Sequence, residues 1–302
     1  MTSAPGFRSG FACFVGRPNV GKSTLTNALV GRKVAITSSR PQTTRHAIRG
    51  IVHRADGQLV LVDTPGLHRP RTLLGERLND VVRTTWAEVD VVGLCVPADQ
   101  KVGPGDRFIA GELAKVAERT PVIGVLTKTD LVGPAEIAAR LLALQELGHE
   151  VGHDFAEIVP VSATGGGQVD LLADLLLARM PPGPPLYPDG ELSDEPETTL
   201  IAEFIREAAL EGVRDELPHS LAVVVEEMTP GTVLTVQAEI FVERPSQKAI
   251  VIGRGGARLK EVGTAARRQI EALLGTRVHL ELFVKVAKDW QRDPRQLRRL
   301  GF

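Results

Sequence analysis

The sequence predicts an α/β domain on a mostly parallel sheet, followed by a smaller α+β domain. Three observations carry this. Apolar strands and amphipathic helices alternate up to about residue 180. Six prolines then crowd between Pro181 and Thr199. Beyond them the order of elements changes.

Elements follow in chain order. Phe11–Gly16 is an apolar run entering a Gly-rich turn, and Lys22–Gly31 has helical spacing. His46–His53 pairs as an edge strand with Leu59–Val62 through an Asp56-Gly57 turn. Further strands are expected at Leu59–Asp63, Val89–Val96, Val122–Thr127 and Ile158–Val161, with helices near 72–86, 105–118, 135–147 and 168–180. The proline-rich stretch stops both helix and ladder and reads as a linker. This places one domain at 1–183, the linker at 184–199 and a second domain at 200–302. There a helix near 199–216, strands near 221–228 and 233–243, a helix at 257–274 and a strand at 278–286 are expected, then a short basic helix. Lys248–Ile252 is read as leading into a Gly-rich turn, with Ile250-Val251-Ile252 as a strand end.

Composition narrows the class. With 302 residues, 43% hydrophobic and 24% charged, the chain has globular proportions and room for two domains. A net charge of −1 excludes a wholly basic nucleic-acid coat. Charge is nevertheless uneven, since residues 248–302 carry 13 basic and 5 acidic side chains, net +8. That asymmetry points to a polyanion contact at the C-terminal end. Cys13 and Cys95 are too few for a disulfide framework and are expected as core thiols in a reducing compartment. No apolar run reaches about 18 residues, so no span is expected, and Met1–Gly10 lacks a signal-peptide layout. A cytoplasmic monomer is the expectation.

Gly16-Arg17-Pro18-Asn19-Val20-Gly21-Lys22-Ser23 fits G-x-x-x-x-G-K-[ST] between a strand and a helix, the context that motif needs. Its glycines let backbone N–H groups face an anion, and the helix beginning near Gly21 aims its positive end at phosphate. Lys22 then bridges the β- and γ-phosphates and Ser23 ligates Mg²⁺, with Val20 and Thr24 flanking. Asp63-Thr64-Pro65-Gly66 follows a strand, so Asp63 can hold Mg²⁺ through water and the Gly66 amide can approach the γ-phosphate. At Thr127-Lys128-Thr129-Asp130 the Asp130 carboxylate accepts from guanine N1–H and N2–H₂, donors that adenine does not offer. The Lys128 stem lies along the base, and the amide of Ala163, after Ser162, can donate to guanine O6.

These four elements in this order resemble the small-GTPase domain of translation factors. With Gln42-Thr43-Thr44-Arg45-His46, Asp63-Thr64-Pro65-Gly66-Leu67-His68 and Val251-Ile252-Gly253-Arg254-Gly255-Gly256 they closely resemble the Era-type bacterial GTPases, from about Phe11 to Phe302. The resemblance implies a Ras-like P-loop GTPase fold followed by a type II KH domain, with GTP/GDP and Mg²⁺ as cofactors. It implies that Thr44 ligates Mg²⁺ in the first switch. It also implies 16S ribosomal RNA near its 3′ end as partner, a role in small-subunit assembly, and a peripheral contact with the inner face of the cell membrane. In related GTPases a residue at the Asn19 position helps bind K⁺, which would make Asn19 catalytic with Lys22, Thr44 and Gly66. Equal hydrolysis rates in KCl and NaCl would remove that idea.

Two residues depart from the usual pattern. Thr127 stands where Asn is usual, so its hydroxyl can tie loops together but one amide contact is lost. Leu67 follows the second-switch glycine, where many GTPases carry a water-orienting Gln, so slow turnover is expected. Two rivals follow: an RNA-binding module with negligible turnover, and an ATP-dependent P-loop enzyme, which Asp130 opposes.

In KH domains a G-x-x-G turn clamps the backbone of about four nucleotides. The turn Gly253-Arg254-Gly255-Gly256 has that form, with Arg258 and Lys260 adding charge and Ile250 and Ile252 expected to line an apolar groove for bases.

Overall fold

The computed structural model of the protein describes residues 6–37, 47–67, 72–116, 120–211 and 220–302. They fall into two compact units. The described residues of 6–35, 47–67 and 78–194 make the first. Those of 195–302 make the second, with Ile36, Thr37 and residues 72–77 counted to it.

The first unit is a six-stranded sheet in the order β2-β3-β1-β4-β5-β6. Its strands are β1 (Arg8–Val15), β2 (Ile48–Arg54), β3 (Gly57–Asp63), β4 (Val91–Pro97), β5 (Val122–Thr127) and β6 (Glu157–Pro160). Every pairing is parallel except β2 on β3, whose hairpin turns at Ala55-Asp56. Every residue of β3, β4 and β5 is buried, which is why they read as unbroken apolar runs. The connecting helices are α1 (Lys22–Val30), α2 (Leu73–Glu88), α3 (Pro104–Val116), α4 (Pro134–Glu150) and α5 (Val169–Leu177). One core joins Phe14, Leu25, Leu61 and Leu172; the other, on the opposite sheet face, joins Val15, Trp86, Ile109 and Leu144. Strand order reverses direction between β1 and β4, and in such sheets ligands bind at the carboxyl ends beside that point.

The stretch read as a linker is held to the first unit as far as Asp194. Ser9 Oγ donates to the Pro184 carbonyl at 2.6 Å. Gln58 accepts the Leu186 and Tyr187 N–H groups at 2.7 and 2.9 Å. Ile51 N–H donates to Leu192 O at 2.9 Å, and Arg49 pairs with Asp194 at 3.0 Å. The strap thus covers the open edge of β2, which would otherwise offer unpaired backbone groups.

The second unit runs α6 (Glu197–Leu210), β7 (Ala222–Thr229), β8 (Leu234–Val242), α7 (Pro245–Ile252), α8 (Ala257–Leu274), β9 (Val278–Val286) and α9 (Pro294–Arg299). Its sheet is β7-β8-β9, antiparallel then parallel. Phe204 and Ile205 of α6, Val262 and Ile270 of α8 and Ile240 of β8 share its core. Ile36 joins that core, and Thr37 donates its N–H and hydroxyl to Glu207 Oε1 at 2.7 and 3.1 Å. The strand end expected at Ile250-Val251-Ile252 is instead the last turn of α7. Pro245 starts this helix, Gln247 accepts the Glu243 and Arg244 N–H groups, and Val251 points into the core. Trp86 and Trp290 are both buried packing residues.

Candidate functional site

At the end of β1 the chain turns at Gly16, with φ +152°. A Cβ there would stand 2.5 Å from the Cys95 carbonyl oxygen, so only glycine fits. Gly21, at φ 100°, caps the N-terminus of α1, and Asn19 holds φ 63°. Lys22 is the first residue of α1 and is buried. Its ammonium donates to the carbonyls of Gly16 and Arg17 at 3.2 and 3.1 Å. Burial pulls its pKa down and the Asp63 charge partly restores it, leaving a strong donor held beside a loop of amides. Beneath the loop, burial pushes the Cys95 thiol up to about 12 and the Cys13 thiol upward as well, so neither is a nucleophile at neutral pH.

Ser23 Oγ donates to Asp63 Oδ2 at 2.8 Å. Asp63 is fully buried at the end of β3. A hydroxyl and a carboxylate in contact at a helix N-terminus are hard oxygen donors of the kind Mg²⁺ takes alongside phosphate, so the residues present fit that ion. Thr44, with the rest of Gln42–His46, lies outside the described residues, as does His68. At Gly66 an added Cβ would stand 3.7 Å from Lys22 Nζ and 3.6 Å from Pro18 Cγ. Leu67 is buried with Val62, Val82 and Trp86, and an alkyl side chain in a core orients no water.

The two predicted base-site segments, 127–130 and 162–163, come together. Thr127 ends β5, and its hydroxyl donates to the Val20 carbonyl at 2.6 Å, tying this loop to the phosphate loop. Lys128 takes φ 57° and lies 3.9 Å from Asp99. Asp130 is exposed. It accepts the Ser162 hydroxyl at 2.7 Å, the largest of the influences that lower its pKa. Ser162 Oγ in turn accepts the Gly165 N–H at 2.9 Å. A Ser-Ala pair carries almost no information as sequence, yet Ser162 fixes Asp130 and sets where the Ala163 amide stands. Sequence reasoning also missed the segment after β4. There Ala98 N–H bonds to Thr127 O at 2.8 Å, and Arg17 reaches Gln100 and Asp106.

In the second unit Gly253, Gly255 and Gly256 all have positive φ, at 73°, 59° and 82°. The turn joins α7 to α8 with Gly256 as the N-cap of α8. Beside it a groove of about 470 Å³ is lined by Gly256, Leu259, Lys260, Arg267, Leu280 and Leu282 among others. Its apolar floor comes from α8 and β9. Ile250 is exposed and Ile252 packs on the core; neither lines the groove. Arg258 is spoken for, because its guanidinium donates to the Ala208 and Glu211 carbonyls at the end of α6 and to Glu261.

A phosphate loop, an acidic strand end and an aspartate-bearing base loop at the switch point of a parallel sheet, followed by an α-β-β-α-α-β unit with a glycine turn between its last two helices, define a GTP-binding protein with an appended KH domain. Comparison with known proteins agrees. The family described as 50S ribosome-binding GTPase matches residues 11–128 and the KH domain family matches 216–291. GTPase Era of Streptomyces coelicolor is 69% identical over 302 residues, covering 98% of this chain and 95% of the relative. The crystal structure of Era in complex with MgGDPNP and nucleotides 1506–1542 of 16S ribosomal RNA is 38% identical. It has a TM-score of 0.92 over 98% of this chain and 99% of that one. A variant of Aquifex aeolicus Era bound to GDP·AlF₄⁻ matches with the same identity, score and coverage. The chain belongs to the GTPase Era family.

Proposed function

We propose that this GTPase is a switch that binds small-subunit ribosomal RNA near its 3′ end and serves in assembly of the small subunit. The Ser23–Asp63 contact beside the buried Lys22 carries the nucleotide half of the reading. Lys22 holds the β- and γ-phosphates, the amides from Gly16 to Thr24 wrap them, and the Gly66 N–H approaches the γ-phosphate. Ser23, Asp63 and Thr44 are assigned to Mg²⁺, which when bound neutralises charge on the phosphate oxygens. Asp130 reads guanine, with Ser162 holding its carboxylate, Lys128 along the base and Ala163 at O6.

The RNA half rests on the glycine turn, its groove and the likeness to the RNA-bound relative. Gly253–Gly256 clamp the backbone, Arg254 and Lys260 meet phosphate, and Leu259, Leu280 and Leu282 lie under the bases. Arg258 braces the turn against α6. The large-subunit wording of one family description covers less than half of the chain; the full-length likeness is to a protein holding 16S RNA. A ribosomal RNA partner supports a cytoplasmic location, and no helix among the described residues is long and apolar enough to cross a membrane.

Phosphate release under multiple turnover, with and without a 16S 3′-end RNA, tests this. We expect slow release that the RNA changes. Asp130→Asn should shift preference from guanosine to xanthosine triphosphate; retained guanosine preference would mean the base site is misplaced.

A further inference from the structure

We propose that Arg17 and Asp106 are positioning residues for GTP hydrolysis, setting the γ-phosphate side of the phosphate loop from outside it. This rests on the nucleotide reading above.

Arg17 is the second residue of the phosphate loop, and its side chain leaves the loop altogether. Nε donates to Asp106 Oδ1 at 2.7 Å and Nη2 to Gln100 Oε1 at 3.1 Å. Asp106 is 1% exposed, and its other oxygen accepts the Gly103 N–H at 2.8 Å, which caps α3. A carboxylate fixed on two sides in the first turn of a helix is a rigid anchor. The arginine stem lies close on that turn, since a Cβ on Gly105 would stand 2.6 Å from Arg17 Cδ.

The same residue touches the chemistry through its backbone. The Arg17 carbonyl accepts the Lys22 ammonium at 3.1 Å. Its neighbour Pro18 packs where Gly66 passes, 3.6 Å from the site of an added Cβ. Besides the Ser23 contact with Asp63, the loop is held from outside at Val20 and at Arg17. Thr127 holds Val20, on the base side. Asp106 holds Arg17, on the side of Lys22 and Gly66. A displacement of this second anchor moves the groups that face the γ-phosphate while leaving the base contacts in place. Displacements of about 1 Å in a positioned site can cost on the order of a hundredfold in rate.

Arg17→Gln and Asp106→Asn test the pair, with GDP affinity by calorimetry, release of a fluorescent GDP, GTP turnover and thermal unfolding measured for each. Arg17→Gln leaves the α3 cap untouched and guards against a folding defect in Asp106→Asn. We expect kcat to fall about tenfold or more in each variant, GDP affinity to change less than about threefold, and the double variant to be no worse than the poorer single one. Arg17→Lys should recover only part of the loss, because an ammonium lacks the guanidinium fork. Unchanged kcat, or equal losses in GDP affinity and turnover, would overturn the proposal. Failure of the unaltered protein to bind GDP would instead sink the nucleotide reading beneath it.

Discussion

A threonine hydroxyl has one proton to give, and at Thr127 it goes to the Val20 carbonyl at 2.6 Å. Val96 O, at 3.4 Å, is the poorer acceptor, and no proton is left for a base. The residue that stands in for the usual Asn thus keeps the tie between loops. Thr127→Val keeps the shape and strands a buried carbonyl, a change that costs about 1–3 kcal/mol. We expect that loss in chemical denaturation, together with faster GDP release; unchanged release would separate this tie from nucleotide retention. Motif spacing pointed to Lys22, Ser23, Asp63, Gly66 and Asp130 in the sequence, because all five follow one of three strand ends, those of β1, β3 and β5. The Ser162 contact with Asp130 and the role of Asp106 were not legible. Ser162 and Asp106 stand 32 and 89 residues from their partners, and only the parallel sheet, which brings its strand ends to one edge, puts them together.

At the scale of elements, the β-branched run Ile250-Val251-Ile252 resembles a strand, yet helix α7 forms. Its start signals were present in the sequence: Pro245 at the first position, Gln247 where its side chain can cap the backbone, and Gly253 at the end. Burial of Val251 beside α8 and β8 settles the choice, as packing outweighs weak intrinsic preference. The turn that follows holds two differently constrained glycines. At Gly253 an added Cβ would meet Arg258 Cβ at 2.6 Å and Arg258 N at 2.9 Å, and φ is +73°. At Gly255 φ is +59° but the space is open. Gly255→Ala should therefore cost only about 1–2 kcal/mol, the left-handed penalty of an L residue. It should still weaken RNA binding, since a methyl then stands where phosphate is to approach. Gly253→Ala adds a clash with backbone and should cost clearly more. Urea denaturation of both variants decides it; equal costs would mean the turn simply shifts to make room.

Over the whole molecule the two activities sit in different electrostatic settings. The strand–helix alternation and the mostly parallel sheet of the first unit were legible because buried parallel strands are apolar throughout. The strap at 181–194 was not, because proline carbonyls still accept hydrogen bonds and their donors, such as Ser9, lie far away in sequence. Charge was the most legible property of all. The net +8 of residues 248–302 falls on the unit that holds the groove, and Lys260 and Arg267 line it. Exposed cations that meet phosphate release counterions, so RNA affinity should fall with salt at a log–log slope of about −0.7 per phosphate contacted on a single strand. Lys22 is buried and much less screened, so GDP affinity should respond far more weakly over the same range. Replacing Lys260 and Arg267 together by Gln should flatten the RNA slope by about 1.4 without altering GDP binding. An RNA slope that stays unchanged in the double variant would move the phosphate contacts off this groove, to the basic residues of the C-terminal end.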